Sequence, residues 1–221
     1  TPGTPVSVGG FTSGTVRLID ITNPLSPREL LPTIAPAGGG TFNISVTPPA
    51  GTTRLYAFVD SGALAPTQVV ADVPSTLKSP TNQADFIIIA YKDATHDFIS
   101  DVQPLVNLRQ SQGLTVKVVD VQDVFDEFSN PLGAHDPNGI KSFLQYAATQ
   151  WQNPKPKYVL LAGDASWDPR GYFTTPANNS DFIPTLFFDA TFLESPSDDA
   201  MSDFNNDGKP ELAVGRLPAK T

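Results

Sequence analysis

The segment Asp203-Phe204-Asn205-Asn206-Asp207-Gly208-Lys209-Pro210-Glu211 places oxygen-bearing side chains at loop positions 1, 3, 5 and 9, with glycine at position 6. Ca²⁺ is a hard cation that takes roughly six to eight oxygen ligands, and this spacing wraps oxygens around one point while glycine permits the sharp turn. Lys209 would add its backbone carbonyl at position 7. The segment is not an EF-hand, because Val214 stands at position 12 where a bidentate Glu is needed and Pro210 opposes a helix. It is closer to the aspartate-rich calcium loops between strands of secreted β-proteins, and the same residues without metal would make a plain Asn/Asp/Gly turn. Asp203, Asn205, Asp207, Lys209 and Glu211 are therefore the candidate metal ligands, with calcium as the structural cofactor. Asp189, Glu194, Asp198 and Asp199 widen the acidic cluster, whose charges repel at close range unless a cation, a basic ligand or water screens them.

Nucleophilic chemistry has few candidates. The chain has no cysteine, which excludes disulfides, thiolate metal sites and a cysteine nucleophile within it. His96 and His135 are the only histidines. Ser166 lies in Gly163-Asp164-Ala165-Ser166-Trp167-Asp168 without the G-x-S-x-G elbow of serine hydrolases, so a triad with either histidine is a weak reading, and an Asp in such a place commonly caps a loop. Neither a phosphate-binding G-x-x-x-x-G-K-[ST] nor a G-x-G-x-x-G motif occurs, which argues against nucleotide cofactors.

The elements that must position these residues divide into two halves. The chain has 221 residues and a net charge of −9. Residues 1–80 hold four basic and four acidic residues, so the whole excess of acid falls in residues 81–221. An acidic surface repels phosphate backbones, so a nucleic-acid partner is not expected. No apolar run approaches the ~18 residues of a membrane helix, so no span is expected either. The start at Thr1, without Met or signal peptide, reads as a mature or excised segment.

Residues 1–80 predict a small all-β, sandwich-like flanking domain. Val16–Ile21 and Phe42–Val46 alternate in hydrophobicity, Leu55–Val59 is a short apolar strand, and Gly38-Gly39-Gly40, Pro48-Pro49 and Asn23-Pro24 punctuate them. Residues 81–221 predict an α/β domain. Phe86–Ala90, Leu114–Val121, Tyr158–Ala162 and Leu212–Val214 read as strands. Between them lie an amphipathic stretch over 98–108 that Pro104 must delay or bend, a helical pattern over 121–128, and a helix capped by Asp136 with Pro137 in its first turn. Strands alternating with helices imply a mainly parallel sheet, whose chemistry gathers at the carboxyl ends of the strands, near Asp120 and Asp164.

Six segments in order resemble the start of a gingipain-type cysteine peptidase domain: ADFIIIA, SQGLTVKVVDV, DVFDEFS, DPNGIKSFLQYAATQW, KYVLLAGD and PELAVGRLP, spanning about residues 84–218. The preceding GFTSGTVRLIDITNP resembles the β-rich part that usually comes before it. The resemblance implies a caspase-like α/β/α sandwich from an extracellular or cell-surface bacterial endopeptidase, often calcium-stabilised, acting on protein or peptide substrates. It also implies a Cys–His dyad on strands beyond the G-R-L-P motif, and neither His96 nor His135 matches that histidine. This chain alone is then the catalytically inert N-terminal portion, and its partner is the C-terminal half of the catalytic domain. In arginine-specific members an Asp in an S-D pair lines the primary specificity pocket; Ser197-Asp198 matches it, making Asp198 the candidate substrate-binding residue. The competing reading is a non-catalytic, calcium-binding surface or adhesion module.

Overall fold

The structure is a computed structural model that describes residues 4–65, 71, 73–173, 180–189 and 191–220. It divides into two compact units, Thr1–Asp72 and Val73–Thr221.

The first unit is all-β. Its strands are β1 (Val6–Phe11), β2 (Val16–Asp20), β3 (Arg28–Leu30), β4 (Thr33–Gly38), β5 (Thr41–Val46) and β6 (Leu55–Val59). They form two three-stranded antiparallel sheets, in orders β1-β5-β4 and β3-β2-β6. Period-two alternation sends Val16 and Leu18 of β2 and Ile44 of β5 into one shared apolar cluster, with Phe11, Leu30, Ile34 and Val46 around it. Gly39 and Gly40 turn β4 into β5 at φ +60° and +76°, a region that costs a Cβ-bearing residue dearly. β1, β3 and β4 were not evident in the sequence, because their outward-facing residues and glycines blur the alternation.

The second unit is α/β. Four parallel strands lie in the order β12-β9-β7-β8: β7 (Phe86–Ala90), β8 (Val116–Asp120), β9 (Tyr158–Ala162) and β12 (Ala213–Leu217). β7 is buried along its whole length, which explains its unbroken apolar run. Helices cover both faces. Phe86, Ile88 and Ala90 pack with Phe98 of α1 (Phe98–Asp101), Val106 of α2 (Gln103–Ser111) and Val102 between the two helices. Ile87 and Ile89 pack on the opposite side with Val121, Val124 and Phe125 of α3 (Val121–Phe128) and Ile140, Phe143 and Leu144 of α4 (Pro137–Gln150). Burying each such side chain contributes about 1.5–3 kcal/mol. Pro104 sits in the first turn of α2, so the helical stretch breaks at Val102 rather than running through. Asp136 caps α4 by accepting the Asn138 N–H at 2.9 Å.

This unit begins at Val73, ahead of the boundary after residue 80 that composition suggested. Its opening residues are tied to the helices: Glu127 accepts N–H bonds from Leu77 (3.0 Å) and Lys78 (3.1 Å) and the Ser75 hydroxyl, and the buried Trp151 indole donates to the Leu77 carbonyl at 2.9 Å. The acidic stretch also carries more structure than a solvated loop. It holds an antiparallel hairpin, β10 (Leu186–Asp189) with β11 (Glu194–Ser197), and a one-turn 3-10 helix, Asp199–Met201.

Candidate functional site

The carboxyl ends of β9 and β12 frame the site. Three aspartates shape the loop that leaves β9. Asp164 accepts the Phe182 and Ile183 N–H groups on its carbonyl and the Ser180 hydroxyl on Oδ2, with Lys220 Nζ 3.3 Å from the same oxygen. Asp168 accepts the N–H groups of Tyr172 (2.8 Å) and Phe173 (2.7 Å). Asp181 accepts the Ser166 N–H at 2.8 Å on Oδ1, while its buried Oδ2 has no hydrogen-bond partner among the described residues. His135 Nδ1 is the nearby cation-forming group, 3.6 Å from that oxygen. Burial pushes the Asp181 carboxyl above its ordinary range and the His135 imidazole below its own, because each charged form loses water.

Asp198 lies at the amino end of the 3-10 turn and faces Arg216 on β12. Arg216 Nε donates to Asp198 Oδ2 at 2.8 Å and Nη2 donates to Oδ1 at 2.7 Å. Thr185 Oγ1 donates to Oδ1 at 2.8 Å. The third guanidinium nitrogen, Nη1, donates to the carbonyls of Gly163 (2.8 Å) and Ile183 (2.7 Å). Burial pushes the Asp198 carboxyl up, but the Arg216 guanidinium more than offsets this and holds it below the usual carboxylate range. The carboxylate expected to meet a substrate guanidinium thus already holds one from its own chain. A cleft of about 430 Å³ opens beside the pair, lined by Ala165, Trp167, Thr185, Phe187, Glu194 and Pro196 as well. Trp167 is largely exposed and stacks on Phe173 with ring centres 5.6 Å apart.

The other sequence candidates fall elsewhere. Asp120 caps α3 by accepting the Gln122 N–H at 2.9 Å. His96 sits in a turn after β7, with Nδ1 2.8 Å from Thr95 Oγ1 and 3.1 Å from Asp93 Oδ1, and packs on Phe182. Ser166 Oγ accepts the Asp168 N–H at 3.0 Å, and among the described residues no imidazole bonds to it, so the serine-triad geometry is not formed.

In the 203–211 loop, Asp203 Oδ1 and Asn205 Oδ1 both accept the Asp207 N–H, at 3.1 and 2.9 Å. Asp203 Oδ2 accepts Gly208 N–H, Asp207 Oδ1 accepts Lys209 N–H and Glu211 Oε2 accepts Phe204 N–H. Lys141 on α4 donates to Asn206 Oδ1 at 2.8 Å. Among the described residues no three His, Cys, Asp or Glu side chains stand close enough to hold an ion. The side-chain oxygens of Asp203, Asn205, Asp207 and Glu211 instead accept the loop's own backbone N–H groups, which gives the loop its turn without a metal.

Residues 79–221 match the family model described as Peptidase family C25. The chain belongs to this family. No curated protein matches it. Among solved structures, it is similar to dimeric latent PorU from Porphyromonas gingivalis, with a TM-score of 0.63 and 22% sequence identity. That match covers 98% of this chain and 22% of the PorU chain, so this C25 chain spans about a fifth of that structure. At this identity the likeness extends to the fold. Sequence reasoning singled out the G-R-L-P motif of the C25 domain without assigning Arg216 a partner. Thr185, Asp181 and Trp167 escaped it too, since none stands in a chemical motif and only the folded loops bring them to the sheet's carboxyl edge.

Proposed function

We propose that this chain is the N-terminal portion of a C25 cysteine endopeptidase catalytic domain, and that a peptide substrate lies along the cleft at the carboxyl ends of β9 and β12. The observation that carries this reading is the cleft itself. An apolar wall and a tethered ion pair meet where parallel α/β sheets gather their chemistry. The helix-covered parallel sheet supports a caspase-like sandwich, and β12 pairs only with β9 among the described strands, so its outer edge can receive a further strand. With no cysteine in the sequence, the thiolate must come from outside these residues, and the chain alone is inert.

The remaining features are part of the same proposal. The parent enzyme acts outside the cell or at its surface. Calcium stabilises the 203–211 loop through the side chains of Asp203, Asn205, Asp207 and Glu211 and the Lys209 carbonyl.

The test is peptide cleavage by the full-length protein, with and without a thiol alkylator, beside the 221-residue chain. Alkylator-sensitive cleavage by the full-length protein alone is the expected result. No cleavage by either, under calcium and reductant, would replace this reading with a non-catalytic binding or adhesion module.

A further inference from the structure

The sheet of the second unit carries another cavity at the amino ends of its strands, the edge opposite the one that frames Asp198. It has a volume of about 310 Å³ and is lined by Phe86, Arg109, Leu114 and Tyr158. Small-molecule sites run from roughly 300 Å³ upward and combine an apolar lining with a few polar groups.

The apolar lining follows from the strand register. Phe86 and Tyr158 are the first residues of β7 and β9 and stand side by side, so their rings meet edge to face with centres 6.3 Å apart. Phe86 is buried while Tyr158 is 45% exposed, which leaves the tyrosine ring accessible. Leu114 joins them from the turn between α2 and β8. Arg109, in the last turn of α2, holds its guanidinium over the Phe86 ring, 5.8 Å from the ring centre.

That guanidinium is only partly used. Nη1 donates to Gln112 Oε1 at 3.0 Å, and among the described residues nothing accepts from Nε or Nη2. The neighbouring carbonyls of Leu108, Arg109 and Gln110 already accept N–H groups from Gln112, Gly113 and Leu114, so they do not compete for it. Asp85, next to Phe86 in sequence, is answered by Lys157 Nζ at 3.3 Å and by the Thr115 N–H. What the Nε–Nη2 edge fits is visible elsewhere in the chain. Arg17 donates from these two nitrogens to the two oxygens of Glu29, and Arg216 does the same to Asp198. The donors are coplanar and spaced for a carboxylate. Arg109 keeps this edge free of internal partners.

We propose that this pocket is a second binding site, for a small aromatic monocarboxylate whose ring lies against Phe86, Leu114 and Tyr158 and whose carboxylate takes the Nε and Nη2 hydrogens of Arg109. The site is separate from the peptide cleft and does not rest on that reading.

The experiment is an NMR titration of the chain with 3-phenylpropionate, with its neutral amide, and with acetate, which has the charge but no ring. 3-Phenylpropionate is expected to shift the Arg109 Nε–H, Leu114 and Tyr158 signals with a Kd below about 1 mM. It should bind at least about fivefold more tightly than the amide, and acetate should not bind in this range. Arg109→Gln should abolish the preference for the acid and leave the amide unchanged, whereas Tyr158→Ala should weaken both by roughly threefold or more. Equal binding of acid and amide, or a preference that survives Arg109→Gln, overturns the carboxylate assignment. Shifts centred on other residues, or none up to about 10 mM, overturn the site itself. Should a variant fail to fold, the comparison of the three ligands on the wild-type chain still decides.

Discussion

Asp198 and Arg216 form a two-pronged ion pair, Nε to Oδ2 at 2.8 Å and Nη2 to Oδ1 at 2.7 Å, that ties the 3-10 turn after β11 to the last strand of the sheet. The side chains are 24% and 12% exposed, so the pair is shielded but not dry. Removing one partner of a buried pair costs about 3–5 kcal/mol, and residual solvation lowers this here to about 2–4 kcal/mol. Arg216→Met should lose that much in urea unfolding. The double variant Arg216→Met/Asp198→Leu should recover most of it, since no charge is left unpaired.

The same pair sets an acid response. The Asp198 carboxyl is held below its ordinary range, so its contribution is present above the unfolded value of about 3.9 and is lost as pH falls through the lower folded value. Stability measured from pH 6 to pH 2 should fall more steeply for the native chain than for Asp198→Asn. Parallel curves would show that the pair is not linked to folding.

His135 titrates against Asp181. Burial lowers its pKa and the Asp181 charge raises it, with burial the larger influence. NMR titration of the His135 ring should give a midpoint below about 6.5. The folded state resists protonation, so its stability falls as pH drops from about 6.5 through that midpoint. Asp181→Asn removes the charge that favours the imidazolium, and the midpoint should move lower still.

Gly139 lies inside α4, where alanine ordinarily improves a helix by up to ~1 kcal/mol. Here a Cβ would overlap the Ser129 hydroxyl and stand 3.2 Å from the Ser129 Cα. Gly139→Ala is expected to destabilise by about 1–3 kcal/mol, as overpacking does. A higher melting temperature would show that the Ser129 backbone yields freely.

If calcium binds the 203–211 loop of the folded chain only, it stabilises by RT ln(1 + [L]/Kd), about 2.7 kcal/mol at a hundredfold excess over Kd. Millimolar calcium should then raise the melting temperature, and Asp207→Ala should abolish the shift. An unchanged melting temperature removes the metal from the proposal.

Much of the second unit was legible in the sequence because its signals are local. The Phe86–Ala90 run, the Asp136-Pro137 cap and the apolar face from Ile140 to Trp151 each announce their element without help from distant residues. The C25 motifs were legible for the same reason. The hairpin β10–β11 was not, since Leu186-Phe187-Phe188-Asp189 is short and faces outward, and Glu194–Ser197 contains a proline. Nor could spacing show that Asp198 meets Arg216: eighteen positions separate them, and their contact exists only through the sheet. A carboxylate with a ready partner in its own chain looks, in sequence, the same as one waiting for a substrate.

β12 reaches its place beside β9 only after residues 163–212 have been looped out, and it sits at the sheet's margin. Closing a loop of that length delays its contacts relative to the nearby pairing of β7 with β8. The cleft beside Arg216 therefore forms late in folding. Ile183, Met201 and Leu212 belong to the main apolar cluster, so that cluster is completed by the same docking step that brings Arg216 to Asp198. Amide exchange should find β12 among the least protected strands of this sheet.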